Sequence, residues 1–468
     1  MKNVSAVILA AGDGTRMKSS KPKVLCEVLF HPMILWVTDA CAGAGIENCC
    51  AVLGEGQEQV KAVLPGSFTT VIQQERKGTG HAVMMAGDYI KNGGFEDVAV
   101  LCGDVPFVTA QDLKNAYRQH KAENNAVTVF AAKVKNPTGY GRIVRSAVGV
   151  SAIVEQADAD MDILKIDEIN AGIYWFNARF LLQSLGRMSA SNAQGEYYLT
   201  DTVADAVKSR LRVSAYAAHH DAALGANDRR TLSLLGEIAR KKVIGRLLDD
   251  GVDIPFPDQV VVGHKVEVGS DTKILPGSIL KGKTVIGKGC EIGPNTQIAD
   301  CVIGDNCKII SSFAADSQME DGVTVGPMAH IRPGCRFGRK VKIGNFVEVK
   351  NSNIGAETSI AHLSYVGDSD VGECCNLGCG IVTVNFDGSQ KARTTIGDGV
   401  FVGCNTNLIA PVTLGDMAYC AAATTITEDV PAEALVIGRC RQTIKENWNT
   451  GGVKFKKASK DSGGANSK

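Results

Sequence analysis

Residues 262–298 read VGHKVEVGSDTKILPGSILKGKTVIGKGCEIGPNTQI, and an aliphatic residue returns at every sixth position of this stretch. The positions in phase are Val262, Val268, Ile274, Leu280, Ile286, Ile292 and Ile298. Glycine often follows the aliphatic residue, as at Gly263 and Gly287. A period of six fits neither a helix nor an alternating strand. It is typical of a parallel β-helix, in which each flat face uses one hexapeptide and stacks its aliphatic residue inside.

The repeat continues, with single-residue slips, to about residue 437. Its further members are Ile303, Ile309, Val325, Ile331, Phe337, Ile343, Val349, Ile354, Ile360, Val366, Val371, Leu377, Ile396, Val402, Leu408, Leu414, Cys420 and Ile426. Because three faces make one coil, the run corresponds to roughly ten coils. The segment Asn385–Lys391 interrupts the phase, and a loop that leaves a solenoid often reaches a binding site.

Upstream of the repeat, short apolar runs alternate with helix-like stretches. The predicted strands are Val4–Leu9, Cys49–Leu53, Thr70–Ile72, Val98–Leu101, Val127–Ala132 and Gly172–Phe176. The predicted helices are Met33–Ala42, Ala82–Tyr89 and Thr109–Glu123. This alternation predicts an α/β, Rossmann-like domain with a mostly parallel sheet covered on both faces. Ligands of such sheets bind at the carboxyl ends of strands, which directs attention to Ala10–Met17 and Cys102–Asp104.

The alternating pattern breaks near residue 228. Asp228 can cap a helix that runs to Asp250, and Gly251 and Pro255 end this connecting arm. We therefore predict four segments: an α/β domain over 1–227, a helical linker over 228–250, a β-helix over 251–446 and a partly disordered tail over 447–468.

Composition excludes several classes of protein. The 468 residues include 50 Lys+Arg and 50 Asp+Glu, so no basic excess favours nucleic acid or a membrane surface. No apolar run approaches the ~20 residues that span a bilayer. The apolar stretch Val4–Ala11 runs into a Gly-rich loop rather than a signal-peptide cleavage site. The 15 cysteines lack paired Cys-x-x-Cys spacing, so we predict reduced thiols and a cytoplasmic protein.

The loop after the first predicted strand has the composition of a phosphate-binding loop. It reads LAAGDGTRM over residues 9–17 and is followed by Lys21-Pro22-Lys23. Small residues let backbone N–H groups approach a phosphate, and Arg16 and Lys23 can neutralise its charge. A dinucleotide fingerprint needs glycine where Met17 stands, and a P-loop needs lysine directly after the final glycine. A simple turn remains the alternative.

A second candidate is Asp104, in the turn Gly103-Asp-Val-Pro106 at the end of a predicted strand. Its carboxylate could hold Mg²⁺ beside phosphates. Taken alone, it could equally be a structural turn residue.

Together with these loops, several other motifs closely resemble one family over nearly the whole chain, from Val4 to about Trp448. They are Gln73, Gly78-Thr-Gly-His-Ala82, Asn136-Pro-Thr-Gly-Tyr-Gly-Arg142, Gln194-Gly-Glu-Tyr-Tyr198 and the hexapeptide half. The family is that of the bifunctional bacterial N-acetylglucosamine-1-phosphate uridyltransferases/glucosamine-1-phosphate N-acetyltransferases. The resemblance implies a nucleotidyltransferase domain followed by a left-handed β-helix acetyltransferase; the left-handedness is implied by the family alone.

The resemblance implies that the α/β domain binds UTP and the UDP-sugar, through Leu9, Ala10, Ala11, Gly12, Lys23, Gln73, Gly78, Thr79, Cys102, Gly103, Asp104, Gly141, Glu155, Asn170 and Asn227. Asp104 and Asn227 are implied to bind Mg²⁺. The sugar-1-phosphate oxygen attacks the α-phosphorus of UTP and pyrophosphate leaves, while Mg²⁺, Arg16 and Lys23 stabilise the developing charge. Cys102 stands where the family often has tyrosine, which puts one side-chain contact in doubt.

On the β-helix, the resemblance makes His362 the base that takes a proton from the sugar amine, with Glu348 orienting or charge-balancing it. A neutral imidazole suits this task near neutral pH. Glucosamine-1-phosphate is implied to bind to Arg332, Lys350, Tyr365, Asn376 and Lys391. Taken without this context, a lone histidine on a solenoid face is usually a surface residue.

Acetyl-CoA is implied to bind along Cys379, Asn385, Phe386, Cys404, Ala422 and Arg439. Three of these depart from the family pattern: Phe386 replaces a usual Tyr, Cys404 a usual Ser and Cys379 a usual Ala. Cysteine donates hydrogen bonds more weakly than serine, so coenzyme affinity is expected to differ. A catalytic thiol at Cys404 is the alternative.

The resemblance further implies a homotrimer with acetyltransferase sites between neighbouring β-helices. The product, UDP-N-acetylglucosamine, is a precursor of peptidoglycan and lipopolysaccharide. Two rival hypotheses are a single-function nucleotidyltransferase whose β-helix only regulates, and a β-helix that serves only as an assembly spine.

Overall fold

The computed structural model describes residues 1, 3–147 and 149–448. Most of the predicted tail 447–468 therefore lies outside the described residues. The chain forms two compact units, Met1–Gly322 and Val323–Lys468.

The first unit begins with a mixed sheet flanked by helices. Its strands are β1 Val4–Leu9, β2 Glu27–Val28, β3 His31–Pro32, β4 Asn48–Gly54, β5 Thr69–Gln73, β6 Asp97–Cys102, β7 Val127–Lys133, β8 Arg142–Ser146, β9 Gly149–Val154, β10 Glu168–Asn177 and β11 Val213–Ala217. The main sheet has the order β11-β7-β10-β6-β1-β4-β5, with β8 and β9 attached beside β10, and β2 pairs with β3 separately. The central strand β1 is buried along almost its whole length, which explains its continuous apolar sequence.

The helices of this unit cover the sheet and then lead away from it. They are α1 Met33–Ala44, α2 Glu58–Val63, α3 Thr79–Met85, α4 Gly87–Gly93, α5 Ala110–Ala122, α6 Ala178–Leu185, α7 Asp201–Lys208 and α8 Arg229–Asp249. The predicted capping box is present, because the Thr109 side chain accepts from the Asp112 N–H and Asp112 accepts from the Thr109 N–H. Asp228 caps α8 as predicted, through a 2.8 Å hydrogen bond from the Thr231 N–H.

The predicted elements differ from the structure in two ways. The predicted helix Ala82–Tyr89 is two helices, α3 and α4, that meet at Ala86. The sheet is less parallel than predicted, because β10 runs antiparallel to both β6 and β7 and the hairpin β8–β9 was not foreseen. The first hairpin strand, β8, contains Arg142 and Arg145, so its apolar signal is weak.

The first coils of the solenoid also belong to this unit. Their short strands are Val261–Val262, Glu267–Val268, Lys273–Ile274, Ile279–Lys281, Val285–Ile286, Glu291–Ile292, Gln297–Ala299, Val302–Ile303, Lys308–Ile309, Phe313–Ala315 and Ser317–Met319. All their pairings are parallel: Val262 pairs with Leu280 one coil on, and Ile286 pairs with Ile303 after a slip of one residue. The sequence period therefore equals one face of the coil.

The second unit continues the same architecture through its described residues. Its strands are Thr324–Val325, His330–Ile331, Cys335–Phe337, Lys342–Asn345, Glu348–Lys350, Asn353–Ile354, Ser359–His362, Tyr365–Gly367, Ser369–Val371, Asn376–Leu377, Val382–Val384, Thr394–Ile396, Phe401–Val402, Asn407–Ile409, Val412–Leu414, Tyr419–Cys420, Thr425–Ile426 and Leu435–Val436. Successive coils again pair in parallel, as Ile343 with Ile360 and Ile360 with Leu377.

The predicted stacking residues fill the interior of the coils. All are buried except Val268, which is half-buried in the first coil. Two gaps in the aliphatic pattern are also explained. Ala314 and Met319 occupy the interior between Ile309 and Val325, and buried Thr383 precedes the loop that begins at Asn385.

Buried hydroxyls and thiols occupy the coil corners and bond to backbone carbonyls. Thr272 donates to the Gly287 carbonyl at 2.7 Å, and Thr358 donates to the Gly372 carbonyl at 2.8 Å. Each therefore satisfies a partly buried carbonyl that lies outside the strand ladders. Among the described residues, no helix is long and apolar enough to cross a membrane.

Candidate active sites

The Gly-rich loop leaves the carboxyl end of β1 and wraps towards Lys23. Gly14 has φ +61°, and a Cβ there would lie 2.5 Å from the Lys23 Cβ, so only glycine fits this close approach. A Cβ at Gly12 would meet nothing within 4 Å, which leaves open space above the loop. The loop is thus tightly folded on one side and open on the other.

Lys23 brings together two residues that are far apart in the sequence. Its ammonium donates to Asn227 Oδ1 at 2.6 Å and forms an ion pair with Asp104. The oxygens of Asp104 and Asn227 therefore converge on one point beside β1 and β6. Hard oxygen donors of this kind are the ligands that Mg²⁺ prefers, so this donor set fits the ion that the sequence predicts.

A cavity of about 300 Å³ opens above the Gly-rich loop. Its lining includes nine of the residues predicted to bind nucleotide, namely Leu9, Ala10, Ala11, Gly12, Gln73, Gly78, Thr79, Cys102 and Asp104. Gln73 is buried, and its amide donates to the Gly78 carbonyl at 3.2 Å and lies 3.0 Å from His81 Nδ1. These contacts fix the amide orientation at the cavity wall.

A second cavity of about 210 Å³ shares four lining residues with the first: Leu9, Thr79, Cys102 and Asp104. It contains the predicted sugar-binding residues Gly141, Glu155 and Asn170, together with Asn227. The two cavities therefore meet beside Asp104.

The second cavity contains the carboxyl group of Glu155, whose pKa is raised. Burial, and after it the neighbouring carboxylates Asp158 and Asp201, raise the pKa of Glu155, although a hydrogen bond from Thr200 at 3.1 Å acts in the opposite direction. Asn170 is held by its own contact, donating to Tyr174 Oη at 2.6 Å. Both side chains are positioned by hydrogen bonds.

Cys102 lies at the junction of the two cavities. Its thiol contacts the Gly172 carbonyl at 3.3 Å, and burial raises its pKa to about 12. A raised pKa disfavours the thiolate, which is the nucleophilic form of cysteine.

Three predicted residues, Lys23, Arg16 and Gly103, lie outside both cavity linings, although Lys23 contacts Asp104 and Asn227. Arg16 is exposed on a 3₁₀ turn, Thr15–Met17. Gly103 bonds through its backbone instead, donating to the Leu9 carbonyl at 2.9 Å and joining the ends of β1 and β6. The catalytic role of Arg16 stays a prediction.

Residues that sequence reasoning did not single out also line these cavities. Arg76 donates to the Ala11 carbonyl at 2.7 Å and forms an ion pair with Asp13, so it fastens the Gly-rich loop. Glu196 lines the first cavity, and Tyr140 and Thr200 line the second. The motifs that contain Tyr140 and Glu196 were a usable signal, whereas Arg76 lay in no motif.

In the second unit, predicted acetyltransferase residues form one column along a corner of the coils. Because Ile360, Leu377, Val402 and Cys420 are in register, the residues two positions later stack in the order His362, Cys379, Cys404 and Ala422. Backbone hydrogen bonds connect the upper steps, from the Asn405 N–H to Cys379 and from the Ala423 N–H to Cys404, each at 2.7 Å. Arg439 extends the column by donating to the Ala422 carbonyl at 2.6 Å.

The residue before His362 in this column is Asn345. Asn345 Oδ1 lies 2.6 Å from His362 Nδ1, and the imidazole is exposed. With the amide oxygen as acceptor, Nδ1 carries the proton and Nε2 presents its lone pair. Asn345 therefore has the orienting position that the sequence analysis gave to Glu348.

Glu348 contacts a different residue. Its carboxylate accepts from Arg332 Nη1 at 2.9 Å. This ion pair lies on the face next to His362, since Glu348 pairs in register with Tyr365.

A buried carboxylate organises the predicted phosphate-binding residues. Asp368 accepts hydrogen bonds from Asn351 and Asn385, and Lys350 Nζ lies 3.7 Å from it. Burial acts to raise its pKa, but these hydrogen bonds hold the pKa of Asp368 below the ordinary value. The neighbouring Lys350 ammonium lowers the pKa of Lys391, so two cations lie close together. Such a pair suits an anion.

The remaining predicted residues border this cluster. Asn385 also donates to Tyr365 Oη at 3.3 Å, and the following Phe386 is half-exposed and forms an isolated bridge to Lys391. Asn376 lies one coil beyond Ser359, on the face that carries His362. The loop Asn385–Lys391 thus reaches the site, as its interruption of the repeat suggested.

Comparison with known proteins agrees with both halves of the chain. A nucleotidyl transferase family model matches residues 5–221, and a bacterial transferase hexapeptide (six repeats) model matches residues 283–309. The bifunctional protein GlmU of Geobacillus sp. (strain WCH70) is 47% identical over 445 residues, covering 95% of this chain and 97% of its own. That of Acetivibrio thermocellus is 45% identical over 451 residues, with coverages of 96% and 97%. These matches and the stacked parallel strands confirm the predicted α/β domain followed by a left-handed β-helix.

Proposed function

The chain belongs to the family of the bifunctional protein GlmU, and on that premise we propose which of its residues carry out each of two reactions. It is a bifunctional enzyme of UDP-N-acetylglucosamine synthesis. The hexapeptide half transfers acetyl from acetyl-CoA to glucosamine-1-phosphate. The nucleotidyltransferase half then transfers UMP from UTP to N-acetylglucosamine-1-phosphate and releases pyrophosphate.

One observation carries the uridylyl-transfer proposal: the two cavities meet beside Asp104. UTP occupies the cavity above the Gly-rich loop, with uracil against Gln73 and Gly78. The sugar-1-phosphate occupies the cavity of Gly141, Glu155 and Asn170. Their reacting phosphates then meet at the shared wall, so attack on the α-phosphorus needs no protein nucleophile.

Asp104 and Asn227 would hold Mg²⁺, which supplies charge neutralisation at the phosphates. Lys23 already contacts both side chains and keeps its positive charge within reach of the same oxygens. Arg16 adds a second cation from the exposed turn. These residues stabilise the charge that develops on the leaving pyrophosphate.

For acetyl transfer, His362 accepts a proton from the amine of glucosamine-1-phosphate at Nε2. Asn345 fixes the tautomer by accepting the Nδ1 proton. The amine nitrogen then attacks the thioester carbonyl, and the coenzyme leaves as a thiol. Direct transfer of this kind requires no thiol at Cys404.

Arg332, Lys350 and Lys391 bind the phosphate, while Tyr365 and Asn376 bind the sugar. The support is the pair of neighbouring lysines and the ordered Asp368 cluster behind them. Glu348 holds the Arg332 guanidinium at this face. Acetyl-CoA lies along the column of Cys379, Cys404 and Ala422, with Asn385, Phe386 and Arg439 at its sides.

The assembly we propose is a homotrimer. Next to His362, three exposed apolar side chains stack on successive coils: Met328, Phe346 and Leu363, each about 60% exposed. Burial of such a ridge against a second copy is favourable. We further propose the division into segments 1–227, 228–250, 251–446 and 447–468, and a cytoplasmic location, because all 15 cysteines are free thiols.

Two assays on the same preparation test this assignment. Acetyl-CoA mixed with glucosamine-1-phosphate should release free thiol, and UTP mixed with N-acetylglucosamine-1-phosphate and Mg²⁺ should release pyrophosphate. If the β-helix only regulated or only assembled the protein, no thiol would appear while pyrophosphate release stayed normal.

A further inference from the structure

Two histidines and one carboxylate meet in the first unit, among residues that line neither cavity. His31 belongs to β3, directly before α1, and Asp39 lies within α1. His264 lies in the turn after the solenoid strand Val261–Val262. The cluster therefore joins the first helix of the α/β domain to the first coil of the solenoid.

The donor atoms of this cluster converge. Asp39 Oδ2 lies 3.0 Å from His31 Nε2 and 3.6 Å from His264 Nε2, and all three atoms lie within 4.8 Å of one another. Ligands at ~2.1 Å from a tetrahedral metal ion stand about 3.4 Å apart. The two distances from Asp39 Oδ2, 3.0 Å and 3.6 Å, lie just below and just above this spacing. A small rotation of the two imidazole rings would therefore complete the coordination.

Surrounding contacts hold the imidazoles in place. Trp36 stacks on His264 at 4.1 Å between ring centroids, and it meets His31 edge-on at 5.9 Å. The Trp36 indole is itself fixed by donating to the Val28 carbonyl at 3.2 Å. The side chains of His31 and His264 are only 12% and 20% exposed, so the donors are preorganised rather than free in solvent.

One side-chain cation already contacts the carboxylate of this cluster. Lys265 Nζ lies 2.9 Å from Asp39 Oδ2, and this ammonium is 41% exposed, so it can swing into solvent. A metal ion bound at Asp39 would take the place of this ammonium. An uncharged imidazole and an ionised carboxylate are the states that ligate metals.

We propose that His31, Asp39 and His264 form a binding site for a divalent transition-metal ion, with zinc as the best match. Two imidazole nitrogens and one carboxylate oxygen suit zinc, whereas Mg²⁺ prefers oxygen ligands. Three protein ligands leave a fourth position for water. Because the ligands come from β3, α1 and the first coil, the ion ties these elements together, and it lies among residues that line neither cavity.

The test uses cobalt(II) as a spectroscopic substitute for zinc on the chelator-treated full chain, with excess Mg²⁺ to occupy oxygen-only sites. The parent should bind one equivalent of cobalt with the visible bands of a four-coordinate nitrogen/oxygen site, and without the thiolate bands that exposed cysteines would produce. Asp39→Asn and His264→Gln should each lose this equivalent. Lys265→Ala should bind it more tightly, because the competing ammonium is gone.

The matched control is His220→Gln, in the group of exposed His219 and His220 with buried Asp221, which also brings three donor atoms together. This variant should keep the full cobalt signal. Zinc should also raise the unfolding temperature of the parent and of His220→Gln, and should leave that of Asp39→Asn unchanged. Unchanged cobalt binding in a folded Asp39→Asn variant, or loss of the signal in His220→Gln alone, would overturn the proposal.

Discussion

At the scale of single residues, the proposed acetyl-transfer step depends on His362 as its base. An ammonium group cannot attack a thioester, and His362 is the residue whose free Nε2 is aimed outward by Asn345. Removing a positioned base costs about 10²–10⁴ in rate. We expect His362→Ala to lower acetyl transfer by that factor, measured as thiol release, and to leave pyrophosphate release near normal.

The residual activity of His362→Ala should rise with pH, since free amine then comes from solution. As a control for the positioning role, Asn345→Ala should lower kcat for acetyl transfer by about tenfold, the effect of losing one hydrogen bond. Acetyl transfer within a few-fold of the parent in an assembled His362→Ala protein would exclude His362 as the base.

Cys404 distinguishes coenzyme binding from thiol catalysis. It is an exposed member of the column and stands where the family usually has serine. Cys404→Ser should leave kcat intact and keep or lower the KM for acetyl-CoA, because a hydroxyl is the stronger hydrogen-bond donor. Loss of turnover, together with an acetylated parent enzyme in mass spectrometry, would indicate a nucleophilic thiol instead.

Glu155 gives a prediction about pH and stability. Burial raises its pKa in the folded state, so its ionised form costs stability above the folded pKa, and this cost vanishes below the unfolded value of about 4.3. Glu155→Gln should therefore raise the unfolding temperature near pH 7 and change it little near pH 4, while weakening sugar binding.

Glu168 is the matched control because its pKa is shifted in the opposite direction from that of Glu155. Its bond to Arg145 lowers its pKa, so its carboxylate stabilises the fold above the unfolded pKa and this stability is lost as pH falls. Glu168→Gln should lower the unfolding temperature near pH 7 and have less effect near pH 4. If the two variants changed the unfolding temperature equally at both pH values, this interpretation of Glu155 would be contradicted.

At the scale of elements, the Gly-rich loop is fastened by a residue from the loop that follows β5. Arg76 bonds to the Ala11 carbonyl and to Asp13, and both side chains of the ion pair are about half-exposed. Exposed pairs contribute only about 0–1 kcal/mol. We expect Arg76→Ala and Asp13→Ala each to raise the KM for UTP by less than about tenfold with kcat nearly unchanged.

The double variant decides whether the two residues act as a pair. If they do, adding Asp13→Ala to Arg76→Ala should have little further effect on KM, because the interaction is already lost. Fully additive effects would show that Asp13 and Arg76 act separately on the nucleotide.

Strands could be predicted from the sequence where the spacing of aliphatic residues is compatible with only one kind of fold. A period of six leaves only the β-helix, and its register also determines which residues stack. His362 lies above Asn345, and Asp368 above Asn351, at the spacing of one slipped coil, so these partners could have been found by counting back along the repeat. The strand β8 was not predicted because arginines and a serine interrupt its apolar residues, and β9 is a short apolar run that begins with glycine and contains a serine.

Other parts of the site could not be derived from the residues alone. Lys23 meets Asn227 across 204 positions, and no local pattern encodes such a contact. The family resemblance implied that Asn227 acts with Asp104, but the contact of Lys23 with Asn227 was not predicted. The same limit applies to His31 and His264, which the fold brings together from different elements.

At the scale of the whole molecule, one chain carries two sites that share no residue. The residues proposed for uridylyl transfer lie in Met1–Gly322, and those proposed for acetyl transfer lie in Val323–Lys468. A lesion at one site should therefore leave the other reaction intact. This independence is the central claim about the enzyme.

The most direct test is to measure both reactions in Asp104→Ala. The variant loses a carboxylate that contacts Lys23 and would hold Mg²⁺ against the phosphates. We predict that pyrophosphate release falls by at least about 10²-fold, while thiol release from acetyl-CoA and glucosamine-1-phosphate matches the parent. A comparable loss of both activities in a folded variant would contradict the independence of the two sites.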